Sequence, residues 1–534
     1  MSVPFPFSDT HPKFRVRGWS ELLGVDECIS APEMARHFLI TGETGSGKSV
    51  SAVMRLLEGI LRYPEEDLYL AYVNEARGGA EPLEKLRPSV LVVDPKQELS
   101  EVVEREANGR KVIKMTFGTA CHAGVPEGRR RVLHLFEGRP LATLDAFEAV
   151  DLILQQSDFF VVDQARTREP IWNMQAASIL RDFVAIDMWL AKRGLNQLKA
   201  LWEQLRKSVS EREEYKSFLG SLAYNPGNYF KPHSTLLNLS SGENEQFPLS
   251  CYLDVCDTLK VPGDLKVRLL ALLGLYHSTR SGVIWMVNGI LSDLASEEFA
   301  SCVSVNPIEA PPQDRRLSVT DALNRGDLVV YVPSDTSPIA DMVGRCLKSK
   351  FFEFAFVRAN KVRPFFYVVD EAHRFLTAGP QDGEQSLLDR CRAYRTGVVL
   401  ATQSIAAIAF RLEQCKTSSK NALDMLLNNC GNALYFRTPD IQTKENLRER
   451  IPSAPVPNRP HVLQVRPLTS LGVGSCYALR CNGSWGLFQV HLPEKLEEVR
   501  NTAGAKARVS RSLRARQLAE IPWLPFPEAP SVCQ

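Results

Sequence analysis

The sequence has almost no net charge. Lys and Arg number 64 against 62 Asp and Glu, leaving +2 over 534 residues, so no global field marks the chain for nucleic acid and any basic surface has to be local. Long apolar runs are also missing. The two most apolar stretches, Leu269–Tyr276 and Val283–Leu291, are separated by His277, Ser278, Thr279 and Arg280, and neither nears the ~20 apolar residues of a membrane-spanning helix. The start, Met1-Ser2-Val3-Pro4-Phe5-Pro6-Phe7, lacks a basic beginning and a sustained apolar centre, so no secretory leader is expected. The 12 cysteines include no CxxC pair. Cys251/Cys256 and Cys476/Cys481 stand close, but no neighbouring His or Cys completes a zinc set. Reduced thiols in a soluble, cytoplasmic protein are the expectation.

What remains is an ordinary globular composition, 44% hydrophobic and 24% charged, in a chain long enough for about two to four domains. An irregular lead-in occupies 1–34. His37–Thr41 is then a short apolar run that breaks at Gly42, and beyond a glycine-rich turn Val53, Leu56, Leu57, Ile60 and Leu61 recur at helical spacing within Val50–Tyr63. Val90–Val93 reads as a second strand ending at Asp94-Pro95-Lys96; Val112–Met115, Val132–Leu135 and Asp158–Val162 read as shorter ones. Glycine and proline thin out from Trp172 to about Ala223, where Ile179, Leu180, Phe183, Ile186, Leu195, Leu198, Leu201 and Leu205 keep helical period. We therefore expect a mainly α-helical insertion over 170–310. Alternation returns with a strand at Asp327–Val332, a helix at Ala340–Arg358, and strands at Phe365–Val369, Val398–Ala401 and Ala433–Phe436. Strands alternating with helices imply a mostly parallel sheet covered on both faces. Its two parts would be 35–169 and 311–495, with a tail at 496–534.

Gly42-Glu43-Thr44-Gly45-Ser46-Gly47-Lys48-Ser49 fits GxxxxGK[ST] at every fixed position, between an apolar strand and a helix. The spacing has a chemical reason. Glycines let successive backbone N–H groups curl inward onto phosphates, and the positive end of the following helix adds to that field. Lys48 is placed to reach the β- and γ-phosphates of ATP, and the Ser49 hydroxyl to ligate Mg²⁺. The second half of such a site is an apolar strand ending in acids, which Phe365-Phe366-Tyr367-Val368-Val369-Asp370-Glu371 supplies. Asp370 would hold Mg²⁺ through water, and Glu371 would orient or deprotonate the attacking water. Gln403, the polar tip of the Val398–Thr402 run, either senses the γ-phosphate or is a plain strand-end amide. The fold class expected is α/β, a RecA-like P-loop NTPase with an inserted all-α domain, its loop and acid pair on adjoining strands.

The set Gly42–Ser49, Asp94-Pro95-Lys96, Val368-Val369-Asp370-Glu371 and Arg392 followed by Val398–Gln403 resembles the FtsK/HerA superfamily of DNA-pumping ATPases. Within it the chain looks most like the coupling proteins of type IV secretion and conjugation. Asn429-Cys430-Gly431-Asn432 leading to Tyr435-Phe436-Arg437-Thr438 is similar to the segment that follows the glutamine strand there, and a helical domain inserted between the catalytic motifs fits that subgroup. The resemblance covers about 60% of the chain, omitting most of 175–320 and the tail. It implies a hexameric homo-oligomer with ATP at subunit interfaces, DNA as the moved substrate, a secretion-channel or relaxosome partner, and recruitment to the inner face of a membrane by that partner. It also implies an arginine acting across the interface, for which Arg392 matches by position and Arg437 is a second candidate. Three departures stand out: no membrane-spanning helices, Gln97 where relatives commonly carry glycine, and Arg395 where they often do.

Two features stay open. Val499–Ala519 carries Arg500, Lys506, Arg508, Arg511, Arg514 and Arg516 without an acid, which suits phosphate contacts or simply a solvated tail; Arg129-Arg130-Arg131 has the same ambiguity. Ile521-Pro522-Trp523-Leu524-Pro525-Phe526-Pro527 suits a docking tail or a segment packed on the body. Two other functions share these residues in whole or part: a motor that moves protein for a secretion apparatus, and a non-motor nucleotide switch.

Overall fold

A computed structural model of the protein describes residues 13–15, 28–30, 36–62, 87–117, 131–155, 171–241, 246–333, 337–358, 363–377, 383–414, 419–451, 467–481 and 485–489. The strand expected at Asp158–Val162, Arg129 and Arg130, the basic Val499–Ala519 segment and the Pro/aromatic tail lie outside them.

The short apolar runs are strands of one sheet: β1 (Phe38–Thr41), β2 (Ser89–Val93), β3 (Val112–Phe117), β4 (Leu328–Pro333), β5 (Phe365–Val369), β6 (Thr396–Thr402), β7 (Asn432–Phe436), β8 (Ser475–Leu479) and β9 (Trp485–Gln489). Their order is β9-β8-β7-β1-β6-β5-β2-β4-β3. Every pair from β7 across to β3 is parallel, and β8 and β9 add an antiparallel edge beside β7. This is the α/β, mostly parallel architecture that the alternating sequence implies. The sheet inserts β6 between the loop strand β1 and the acidic strand β5, where adjoining strands were expected.

Both faces of the central strands are buried, which is why these runs are continuously apolar. Successive residues divide between the two sides. Phe38, Ile40, Val90, Val92, Phe366, Val368, Val399 and Ala401 share one cluster with Leu56, Leu57 and Ile60 of α1 (Met54–Arg62) and with Leu99, Val102 and Val103 of α2 (Glu98–Arg105). Leu39, Leu91, Tyr367, Val369, Val398 and Leu400 point the other way, into the cluster holding Val343, Leu347 and Phe351. The last three lie on a helix at Pro338–Val357, two residues earlier than expected because Ser337 caps it and Pro338 fits its first turn.

Between β3 and β4 the chain is mainly helical, from Ile171–Lys192 to Glu297–Cys302. Its interior gathers Phe183, Trp202 and Tyr229 around the His233 ring, at centroid distances of 5.2, 4.9 and 5.2 Å. Buried Asp187 accepts a hydrogen bond from the Tyr229 hydroxyl at 2.8 Å through Oδ2, which lies 2.9 Å from His233 Nε2, while Asp187 Oδ1 and Trp202 Nε1 are buried without a hydrogen-bond partner among the described residues. Val132–His134 is a strand, but of a different sheet: it pairs in parallel with Val303–Ser304 and Arg316–Leu317. Segments before and after the helical region are thereby tied together at its base. Among the described residues no helix is long and apolar enough to cross a membrane.

Candidate nucleotide site

Register brings the chemistry to one edge of the sheet. Thr402 pairs with Thr41, Val369 with Leu400, and Val93 with both Val369 and Tyr331. Gly42, Gln403, Asp370 and Asp94 therefore leave four neighbouring strands at their carboxyl ends, where parallel sheets present ligand-binding loops.

The loop needs its glycines for two different reasons. Gly47 sits at φ 94°, and an added Cβ there would also lie 2.9 Å from the Gly474 nitrogen. Gly42 has an ordinary backbone, but its Cβ would come within 2.5 Å of Phe436 Cβ. The C-terminal part of the chain thus presses on the phosphate loop, and Gly474 N–H donates to the Ser46 carbonyl at 2.9 Å. Thr44 and Gly45 stand exposed at the loop's tip while Ser46, Lys48 and Ser49 are buried. The segment after the loop begins as a wide π turn, Lys48–Val53, before settling into α1.

Across the gap, Asp370 is 1% exposed and Glu371 6%. Ser49 Oγ donates to Asp370 Oδ2 at 2.8 Å, joining residues 321 apart in sequence. Lys48 Nζ is 4.0 Å from Glu371 Oε1. Burial pulls the Lys48 ammonium below its usual range, helped by Lys96 and opposed by Glu371 and Asp370. Glu371 takes a left-handed backbone, φ 52°, an unusual conformation for a side-chain-bearing residue. Its N–H donates to Asp370 Oδ1 at 3.0 Å, and its Oε2 accepts from Gln403 Nε2 at 3.2 Å. Burial opposes ionisation of this carboxyl, but the hydrogen bond and charge of Lys96, with Lys48 and His373, outweigh it and hold Glu371 below the usual carboxylate range. His373 lies beside it, its Nδ1 3.2 Å from Thr402 Oγ1, and burial pushes the imidazole down.

Lys96, to which no sequence motif gives a role, also belongs to the site. Its Nζ donates to Glu371 Oε1 at 2.7 Å and to Asp370 Oδ2 at 3.2 Å. Asp94, fully buried, fixes the turn that carries it: the carboxylate accepts the N–H groups of Ser100 at 2.7 Å and Glu98 at 3.2 Å, capping α2. Gln97 completes the turn at φ 62°. Arg395, the other departure from the glycine pattern of the resemblance, also has positive φ, 48°. Both non-glycine residues occupy the region that glycine enters without cost. The sequence shows Lys96 three residues beyond the end of a buried strand.

The arginines are placed differently. Arg437 Nε donates to Glu43 Oε1, and Glu43 N–H returns to the Arg437 carbonyl at 2.9 Å, so this arginine pairs with the phosphate loop of its own chain. Arg392 begins a 3₁₀ turn at the opposite end of β6 and is exposed, its side chain with no hydrogen-bond or ion-pair partner among the described residues. The strand between it and Gln403 is roughly 20 Å long at ~3.3 Å per residue. Arg392 therefore cannot meet the loop of its own chain.

Ser49 Oγ and Asp370 Oδ2 form a sparse all-oxygen set. That suits Mg²⁺, which keeps several waters and is shared with substrate phosphates. No protein-family model matches the chain, and no curated protein matches it. Solved structures do resemble it. The plasmid coupling protein TrwB in complex with ADP and Mg²⁺ is 14% identical with a TM-score of 0.46, over 92% of this chain and 97% of that one. TrwB with a non-hydrolysable ATP analogue is 14% identical with a TM-score of 0.45, over 92% and 96%. VirB4 of Thermoanaerobacter pseudethanolicus is 13% identical with a TM-score of 0.39, over 87% and 91%.

Proposed function

We propose that the chain is an ATP-hydrolysing motor that works as a hexameric ring and moves DNA. The observation that carries this reading is the meeting of the phosphate loop with the acidic strand, Ser49 Oγ on Asp370 Oδ2 at 2.8 Å with Lys48 and Glu371 beside them. The backbone of Gly42–Ser49 cradles the phosphates, and Lys48 reaches the β and γ groups. Ser49 and Asp370 would hold Mg²⁺, which would supply charge neutralisation to the phosphate oxygens. Glu371, kept ionised by its cationic neighbours, accepts a proton from the attacking water or orients it, and Gln403 holds that carboxylate in place. Arg392 reads as an arginine offered to the site of an adjacent subunit. Support for that role is its exposure at the far end of β6 and its place in the motif set. The basic Val499–Ala519 segment is the proposed non-specific DNA contact.

ATP turnover by the full chain, measured with and without single- and double-stranded DNA at low salt, tests the reading. Several-fold stimulation by DNA supports it. Turnover indifferent to DNA assigns the motor to a protein substrate instead, and no turnover with Mg·ATP removes the motor altogether.

A further inference from the structure

Two lysines face the acid pair, and they are not equivalent. Lys48 is 3% exposed and enclosed by the phosphate loop, whereas the Lys96 side chain is 33% exposed and approaches from the turn after β2. Lys96 bonds to both acids, and the Asp370 oxygen it takes, Oδ2, is the one that also accepts the Ser49 hydroxyl. The Asp370 oxygen that would help seat a divalent cation is thus already engaged by an ammonium group. A side chain so exposed can swing into water at little cost. Its backbone cannot drift as easily, because buried Asp94 pins the turn through two N–H groups.

Resting on the nucleotide-site reading above, we propose that Lys96 is a built-in counter-ion for the metal position. Without nucleotide it compensates Asp370 and Glu371 and keeps divalent cations out. When nucleotide arrives, the phosphates supply the negative charge that pays for a second cation, and Lys96 gives up Asp370 to it. The metal then enters with the phosphates and not before them, so Lys96 is a positioning residue for the loaded state.

Binding of Mn²⁺, followed by electron paramagnetic resonance on the full chain without nucleotide, tests this directly. Lys96→Met should bind Mn²⁺ at least about tenfold more tightly than the parent, a floor far below the full Coulomb repulsion between the two cations a few ångströms apart at an effective dielectric of ~20, because a flexible lysine can swing partly away. Lys96→Gln should behave like Lys96→Met, and Lys96→Arg like the parent. With ADP present the difference should shrink. Equal affinities of the parent and both neutral variants without nucleotide, while ADP still recruits Mn²⁺, overturn the counter-ion role alone. Failure of ADP to recruit Mn²⁺ in any form overturns the nucleotide site and this inference with it.

Discussion

The buried ion pair Lys348–Glu384 offers a magnitude that can be worked out in advance. Both side chains are 1% exposed. Lys348 Nζ donates to the Phe375 carbonyl at 2.7 Å, to Thr377 Oγ1 at 3.0 Å and to Glu384 Oε1, while Glu384 Oε2 accepts the Thr377 N–H at 2.8 Å. The pair therefore joins three pieces: the Pro338–Val357 helix, the segment that begins with Glu371, and the Glu384–Cys391 helix that runs into Arg392. Lys348→Met strands a buried carboxylate, and Glu384→Gln leaves a buried ammonium with neutral acceptors only. Each should cost about 3–5 kcal/mol, because the surviving charge loses its compensation without regaining water. The double variant removes both charges and keeps an amide oxygen for the Thr377 N–H, so it should cost much less than the sum. If the double costs no more than either single, the shortfall from the sum, at least about 3–5 kcal/mol, is the coupling energy of a double-mutant cycle. Urea unfolding followed by circular dichroism reads all four proteins. Single variants that cost under about 1 kcal/mol, or that add in the double, would show that the pair is not the joint described.

Three further outcomes follow from other parts of the fold. His37 and His134 are both pushed down to about 4 by burial, against hydrogen bonds to the Leu388 and Asn306 carbonyls. The unfolded chain takes these protons near 6.5, so the stability each contributes is complete above that pH and is lost as pH falls toward 4. The loss is about 2.5 kcal/mol each by pH 4.5. His37→Asn, suited to the positive φ there, combined with His134→Gln should flatten the change in unfolding free energy between pH 7.5 and 4.5, and an unchanged slope contradicts it. Gln97→Gly relieves a left-handed residue whose side chain is exposed, and should raise stability by about 0.5–1 kcal/mol in the same urea assay; a loss of stability contradicts the strain. Mixing Arg392→Ala with Glu371→Gln subunits, each inactive alone, should restore turnover at hybrid interfaces, and absence of rescue removes the arginine from the neighbouring site.

Much of this was legible because the elements are locally determined. A parallel strand buried on both faces is apolar at its centre, so the runs within His37–Thr41, Phe365–Val369 and Val398–Ala401 announce themselves, and the loop motif fixes its own geometry. The helix enters at Pro338, two residues before its apolar pattern begins, because Ser337 caps it. Relations between distant segments were less readable. Nothing local says that β6 separates β1 from β5, that Gly474 backs the phosphate loop, or that Val132–His134 joins Val303–Ser304 rather than the main sheet. Lys96 was in view as part of Asp94-Pro95-Lys96, but its bond to the acids depends on β2 lying beside β5, which only the pairing of Val93 with Val369 establishes. The positive φ values of Gln97 and Arg395 show the reverse: two departures from a glycine pattern that marked real backbone constraints.

On the function proposed above, Glu371 performs chemistry on a nucleotide bound by the Gly42–Ser49 loop. Equilibrium ATP binding and steady-state turnover of Glu371→Gln beside the parent chain test it most directly. Binding within a few fold of the parent, with turnover reduced about a hundredfold or more, is the predicted result; turnover at the parental rate would contradict it.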